Sequence, residues 1–167
     1  FDTGPANMSI DFAVQRLTGK SDAYDDAGTL SAQGVVQKKL LRDLLALPYF
    51  ELPPPKSAGY AEFGPPTLDA IVAQYPKLSP VDVLRTMVEF SAETIARAYE
   101  QFVLPQFPEL RRITFTGGGM YNQTLMQAIR TRLPQFTIDT LEADSNFADA
   151  KEAIAFAVLA NETPNVS

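Results

Sequence analysis

The stretch Arg112-Ile113-Thr114-Phe115-Thr116-Gly117-Gly118-Gly119-Met120-Tyr121-Asn122-Gln123-Thr124-Leu125-Met126 decides how the rest of the chain is read. Ile113 and Phe115 alternate with threonines, the chain then meets three glycines, and Leu125, Met126, Ile129 and Leu133 follow at helical spacing. The order is strand, glycine turn, helix. Without Cβ atoms at Gly117, Gly118 and Gly119, another molecule can approach the backbone closely, and the turn can adopt φ values that other residues resist. Asn122 is placed to cap the helix, whose free first-turn amides then face the same space as the glycines. Two readings stand: a nucleotide site, or a tight connection without a ligand, since the spacing is neither the dinucleotide fingerprint nor a P-loop.

Upstream, Ser79-Pro80-Val81-Asp82 is a helix start with a capping serine, proline in the first turn and an early acid. The apolar spacing from Val83 to Phe102 sustains one long helix that leads through Pro105 and Pro108 to the strand. Downstream, Phe136, Ile138 and Leu141 mark a second short strand, and an acidic loop with Glu142, Asp144 and Asp149 follows. The last helix, Lys151 to Asn161, is apolar on nearly all sides and reads as buried. Glu152 stands at its entrance, where a helix N-terminus keeps a carboxylate ionised. It is either a ligand for a cation or a sugar hydroxyl, or ordinary first-turn charge compensation.

The chain opens Phe1-Asp2-Thr3-Gly4-Pro5-Ala6-Asn7-Met8: a strand-like end, a Gly-Pro turn and a helix through Ile10, Phe12, Val14 and Leu17. Asp2 and Asn7 flank that helix start, as anion- or metal-facing groups or as turn caps. Residues 18–29 read as a polar loop in which the paired Asp25 and Asp26 are a metal site or, the commoner use, solvated turn or helix-start acids. A helix is expected from Ser31 to Pro48. The proline-rich segment 48–66 presents Lys56 and Ser57 on a stiff arm; a proline-rich partner ligand is the rival reading, and Tyr49, Phe50, Tyr60 and Phe63 favour an arm packed over the domain. A short helix is expected from Thr67 to Tyr75.

Composition narrows the chemistry. With 167 residues, 46% hydrophobic and 20% charged, the chain has the makings of one globular domain or a piece of one. A net charge of −6 without a basic run argues against nucleic acid and anionic membranes. The absence of Cys and His removes disulfides, thiolate and imidazole ligands and Ser-His or Cys-His pairs, leaving carboxylates for any proton or metal chemistry. The chain begins on Phe1 in what reads as the middle of a larger protein, and no apolar run approaches the ~20 residues of a membrane span.

Four stretches taken together resemble the anhydro-N-acetylmuramic acid kinase family, which includes the related levoglucosan kinases: FDTGPANM at residues 1–8, PYFELPPPKSAG at 48–59, TGGGMYNQTLM at 116–126 and DAKEAIAFAVLA at 149–160. The resemblance implies an α/β, helix-rich, actin-like ATPase (ribonuclease H-like) sugar kinase fold, with two lobes that close over ATP and a sugar. Residues 1–167 are then the C-terminal, nucleotide-side lobe with an incomplete sheet, and the N-terminal lobe is not in this chain. It further implies ATP and Mg2+ as cofactors and ring-opening phosphorylation of 1,6-anhydro-N-acetylmuramic acid or a levoglucosan-type sugar. Gly117, Gly118, Gly119 and Asn122, with Asp2, Gly4 and Asn7, are the implied nucleotide contacts. Glu152 is implied at the sugar and magnesium end, as a metal ligand and catalytic group, and the base is an aspartate outside this chain. The implied partners are the small sugar, the N-terminal lobe and a second copy in a homodimer, with no nucleic acid or membrane, in the cytoplasm. Alone, the chain is expected to be inactive.

The chain departs from the family pattern at two places. Ala6 stands where the family usually has glycine in Gly-Pro-Gly-Asn, and Ala58-Gly59-Tyr60-Ala61 stands where it has Thr-Gly-Arg-Glu. Ala6 puts a methyl group where the family's backbone approaches phosphate, the loss of the arginine and glutamate bears on substrate choice, and both keep a second reading open: a degenerate kinase-like lobe serving as a non-catalytic binding or structural module.

Overall fold

Helix formation is dominated by one long element around which the others are arranged. In the computed structural model, which describes residues 1–141, the helices are α1 (Asn7–Thr18), α2 (Lys38–Leu45), α3 (Tyr60–Phe63), α4 (Pro65–Val72), α5 (Pro80–Ala98) and α6 (Gln123–Arg132). The strands are β1 (Arg112–Phe115) and β2 (Thr137–Thr140). α5 starts as its sequence dictates: the Ser79 side chain accepts from the Asp82 amide, Pro80 occupies the first turn, and Asp82 meets the positive end of the helix. It buries Leu84, Met87, Val88 and Phe90 and packs against α1, α2 and α6. Beyond Ala98 the helix widens into a π-turn, Tyr99–Val103.

β1, the glycine turn, α6 and β2 form a strand-helix-strand unit. The strands pair in parallel, Ile113 opposite Ile138 and Phe115 opposite Thr140, the relation that a crossover helix allows. Among the described residues these two strands are the whole sheet. The structure is thus a helix-rich α/β arrangement with a small parallel sheet. The final helix and Glu152 lie outside the described residues.

The arm of residues 48–66 closes one side of the core. Tyr49 and Phe63 meet edge to face at 5.0 Å, and Phe50 lies 5.6 Å from Phe90 of α5. Lys56 rests over the rings of Tyr49 and Phe102 at 4.6 and 5.3 Å, and burial lowers its pKa.

Three local expectations are corrected. No strand forms at Phe1: the Asp2 amide donates to Lys56 O at 3.0 Å and the Tyr49 hydroxyl donates to Asp2 O at 2.7 Å, so the segment is tied to the arm. The helix expected from Ser31 starts only at Lys38, after a 3-10 turn at Ser31–Gln33. The Val35 amide donates to Asp82 Oδ1 and the Gln37 amide to Thr86 Oγ1, so side chains of α5 take amides that a helix would have used and leave Val35 exposed. The helix expected from Thr67 starts at Pro65, ends at Val72 and is preceded by α3.

Candidate functional site

Gly117 turns the chain out of β1 with φ +85°, a conformation suited to glycine, and Gly118–Tyr121 makes a single 3-10 turn. The amides of Met120 and Asn122 donate to Gly117 O and Gly119 O, both at 3.2 Å. A methyl group built on Gly117 would meet no atom within 4 Å, and one on Gly118 only Asn7 Nδ2 at 3.7 Å. On Gly119 it would stand 3.0 Å from Asn7 Oδ1. Space therefore lies open over Gly117 and Gly118. Asn7, from a segment more than a hundred residues earlier in sequence, forms its border.

Asn122 sets the turn's exit. Its Oδ1 accepts from the Leu125 amide at 2.9 Å, capping α6, and its Nδ2 donates to Asp25 Oδ2 at 3.4 Å. Asp25 is buried and accepts from the amides of Leu30 at 2.8 Å and Ser31 at 3.2 Å. Gly28, at φ +76°, lets the loop lie so close that a methyl group there would be 2.4 Å from Asn122 Oδ1, and Thr124 Oγ1 donates to Gly28 O at 2.7 Å. Asn122 is therefore a positioning residue, buried and occupied at both ends. Asp25, read from sequence as a solvated acid, is the buried strut behind it.

Between α1 and the turn lies a cleft of about 360 Å³ whose lining includes Asn7, Asp11, Tyr24, Asp26, Gly118 and Tyr121. Asp11, Tyr24 and Tyr121 were not singled out from sequence. The only available signal was Asp11 falling one helical turn after Asn7. Burial raises the Asp11 pKa, and no Lys or Arg lines the cleft to oppose that shift. A second groove, of about 440 Å³, runs along the other side of Asn7 and includes Thr3, Ala6, Thr116 and Gly119.

The remaining expected site residues have other surroundings. Asp2 Oδ2 accepts from the Ala58 amide at 2.8 Å and the Ser57 hydroxyl at 2.9 Å. The Ala58 bond lowers the Asp2 pKa, burial opposes that, and the Ser57 bond lowers it further. Gly4 is buried against α5, where a methyl group would stand 2.7 Å from Thr94 Oγ1. Neither Asp2 nor Gly4 lines the cleft or the groove. Both anchor the segment that carries Asn7. Among the described residues no group of three or more Asp or Glu side chains is placed to hold a metal ion, and no helix is long and apolar enough to cross a membrane.

The described residues thus form a helix-rich α/β arrangement with a small parallel sheet, in which the glycine turn and the first helix border an open cleft. The family model described as anhydro-N-acetylmuramic acid kinase matches residues 1–166, and the chain belongs to that family. It is 38% identical over 167 residues to the anhydro-N-acetylmuramic acid kinase of Caldanaerobacter subterraneus subsp. tengcongensis, covering 99% of this chain and 42% of the relative. It is 43% identical over 167 residues to that of Francisella tularensis subsp. novicida, covering 100% and 43%. With that of Bacillus cereus strain AH187 it shares 40% over 165 residues, covering 98% and 42%. The chain thus spans less than half the length of the curated relatives it matches.

Proposed function

We propose that the intact protein is an ATP- and magnesium-dependent kinase that phosphorylates an anhydro sugar with opening of its ring, and that residues 1–167 form its C-terminal, nucleotide-side lobe. The relatives' names favour 1,6-anhydro-N-acetylmuramic acid over a levoglucosan-type sugar. The observation that carries the nucleotide assignment is the meeting of two distant segments, Asn7 and Gly117–Gly119, around space that a Cβ on Gly118 would enter. Phosphoryl transfer depends mainly on positioning and on stabilising charge, so a lobe that orients the nucleotide contributes without supplying the base. The base is assigned to an aspartate outside residues 1–167, and Glu152 to the sugar and magnesium end.

The test uses the intact protein. Gly118 has no positive φ and open surroundings, so Gly118→Val leaves the fold nearly unchanged while its branched side chain obstructs the nucleotide. Calorimetry is expected to show weakened ATP binding with little change in melting. Unaltered ATP affinity in the folded variant refutes the nucleotide assignment. Glu152→Gln keeps the side-chain shape but removes the anion, and turnover on the anhydro sugar should fall ~100-fold or more if that charge acts in the transition state. Normal turnover would return Glu152 to helix-end charge compensation. An intact protein that binds ATP but turns over neither anhydro sugar would be a non-catalytic binding lobe.

A further inference from the structure

The arm of residues 48–66 carries a groove of about 590 Å³, to which Leu47, Leu52, Pro53 and Pro55 contribute apolar surface, and Leu52 is left 51% exposed. Lys56 lines the same groove. Its ammonium lies over the rings of Tyr49 and Phe102, and Nζ donates to Tyr49 O at 3.3 Å. An ammonium has three protons to donate, and among the described residues no carboxylate pairs with this one. Glu62, which also lines the groove, accepts instead from the Gly59 amide at 2.9 Å. An apolar trough beside a half-buried cation that lacks an acid is an incomplete surface.

The groove adjoins the first residues of the chain. Tyr49, Lys56 and Ser57 line it, and the same three residues hold Asp2: the Asp2 amide donates to Lys56 O at 3.0 Å, its carbonyl accepts from the Tyr49 hydroxyl at 2.7 Å, and its Oδ2 accepts from the Ser57 hydroxyl at 2.9 Å. Phe1 meets Phe102 edge to face at 5.7 Å, on the ring that also carries Lys56. The other end of the described residues leads elsewhere. The Leu141 amide donates to Phe115 O at 2.9 Å, and Phe115 lines the groove beside Asn7 and not this one. The chain spans 42% and 43% of two relatives, so most of a protein of that length lies outside residues 1–167.

We propose that this groove is the surface on which the N-terminal lobe of the same polypeptide docks, with apolar side chains filling the trough and a carboxylate pairing with Lys56. The inference rests on the reading above that such a lobe precedes residue 1, and adds to it the place where the lobe sits. A lobe joined through Phe1 and Asp2 is tethered beside the groove and meets it at high effective concentration, an advantage that a separate protein lacks. Pro53, Pro54 and Pro55 fix the arm's backbone, and the bonds to Asp2 hold it down, so little ordering has to be done when the lobe docks. The aromatic rings around Lys56 keep water from one side of the new ion pair, and the lobe keeps it from the other.

The test is photo-crosslinking in the intact protein, with p-benzoylphenylalanine placed at Leu52 and, separately, at Ala61, both exposed on the groove, and adducts mapped by mass spectrometry. Both positions should crosslink within one polypeptide to residues that precede Phe1. The same probe at Val35, exposed but not on the groove, gives the background. Lys56→Glu should lower the yield from Leu52 severalfold, because it sets a like charge against the docking carboxylate, and Lys56→Arg should largely restore it. Adducts to a second copy, to residues 142–167, or to nothing above the Val35 background overturn the proposal while leaving the lobe reading in place. A yield unchanged in folded Lys56→Glu removes the carboxylate from it. Should that variant not fold, the two probe positions in the otherwise unaltered protein still decide the docking surface. A native reading frame with no lobe-sized segment before Phe1 refutes the lobe reading itself, and this inference with it.

Discussion

Ala6 is the one departure from the family pattern that the backbone itself resists, and replacing it with glycine should stabilise the protein. The Met8 amide donates to Pro5 O at 2.9 Å, so residues 5–8 form a tight turn with Ala6 at its second position, φ +46° and ψ −124°. These angles are those of a type II′ turn, a place dominated by glycine. Ser91 Oγ donates to the Ala6 carbonyl at 2.7 Å and lies 3.1 Å from Ser9 Oγ, which holds the peptide in this orientation from the buried face of α5. An alanine in so sparsely populated a region costs about 1–3 kcal/mol. Glycine removes that strain but gives the unfolded chain more freedom, worth about 0.5–1 kcal/mol. Ala6→Gly should therefore stabilise by about 1 kcal/mol, a rise in melting temperature of roughly 2–4 °C for a domain of this size. Urea unfolding and calorimetry on the intact protein read both quantities. Ser91→Ala releases the Ala6 carbonyl, so the gain from Ala6→Gly should shrink in that background. If Ala6→Gly is neutral or destabilising, the positive-φ turn is not the conformation that holds Asn7 in place. Strict additivity with Ser91→Ala would show that Ser91 does not fix it.

Asp2 predicts a pH dependence. Its pKa is lowered in the folded state, so its contribution is complete above the usual value of 3.8 and fades as the pH falls below it. The stability difference between wild type and Asp2→Ala should be full near neutral pH and shrink on acidification through that range; a difference that is flat with pH would contradict the tie to Ser57 and Ala58. The sheet predicts an association state. Two four-residue parallel strands, with no third strand among the described residues, rarely stand without neighbours, and residues 1–167 expressed alone should oligomerise or melt with poor cooperativity. A monomer in analytical ultracentrifugation with a sharp calorimetric transition would refute this and favour an independent binding module.

Where local signals were strong, the chain could be read directly. Ser79-Pro80-Val81-Asp82 and Asn122 announce their helices through capping chemistry, and both caps are made as read. The alternation at Ile113 and Phe115 was equally legible. Legibility failed where distant side chains outbid local pattern: Val35 and Val36 have helical spacing with Leu40, yet Asp82 and Thr86 take the amides of Val35 and Gln37. Asp25 shows the same effect at the site. Its local context reads as a wet turn, and only the fold reveals that Asn122, nearly a hundred residues later, needs it as a buried partner. Asp11 and Tyr24 belong to no motif, Tyr121 sits inside the 116–126 stretch with no role read for it, and only the fold brings the three to one cleft.

That packing is specified by α5, whose sequence reading rests on its apolar spacing and its capped start and assigns its other polar residues no role. Those residues fall in pairs three or four apart, and each pair holds a different segment. Asp82 and Thr86 hold the backbone of residues 35–37. Ser91 grips the Ala6 carbonyl, while Thr94 lies under Gly4, so the segment entering α1 is pinned at two points. Glu89 and Glu93 both bind the guanidinium of Arg132 in the last turn of α6; burial pushes the Glu93 pKa up, but the bonds from Arg132 and Arg97 outweigh it and the net shift is downward. Asn7 sits at the start of α1, and the glycine turn leads into α6. The spacing between Asn7 and Gly118, and with it the width of the cleft, is therefore set by a third element, α5. Substitutions at Ser91 or Glu93 should accordingly alter ligand affinity in the same sense as they loosen α1 or α6, through position alone and without removing any group from the cleft.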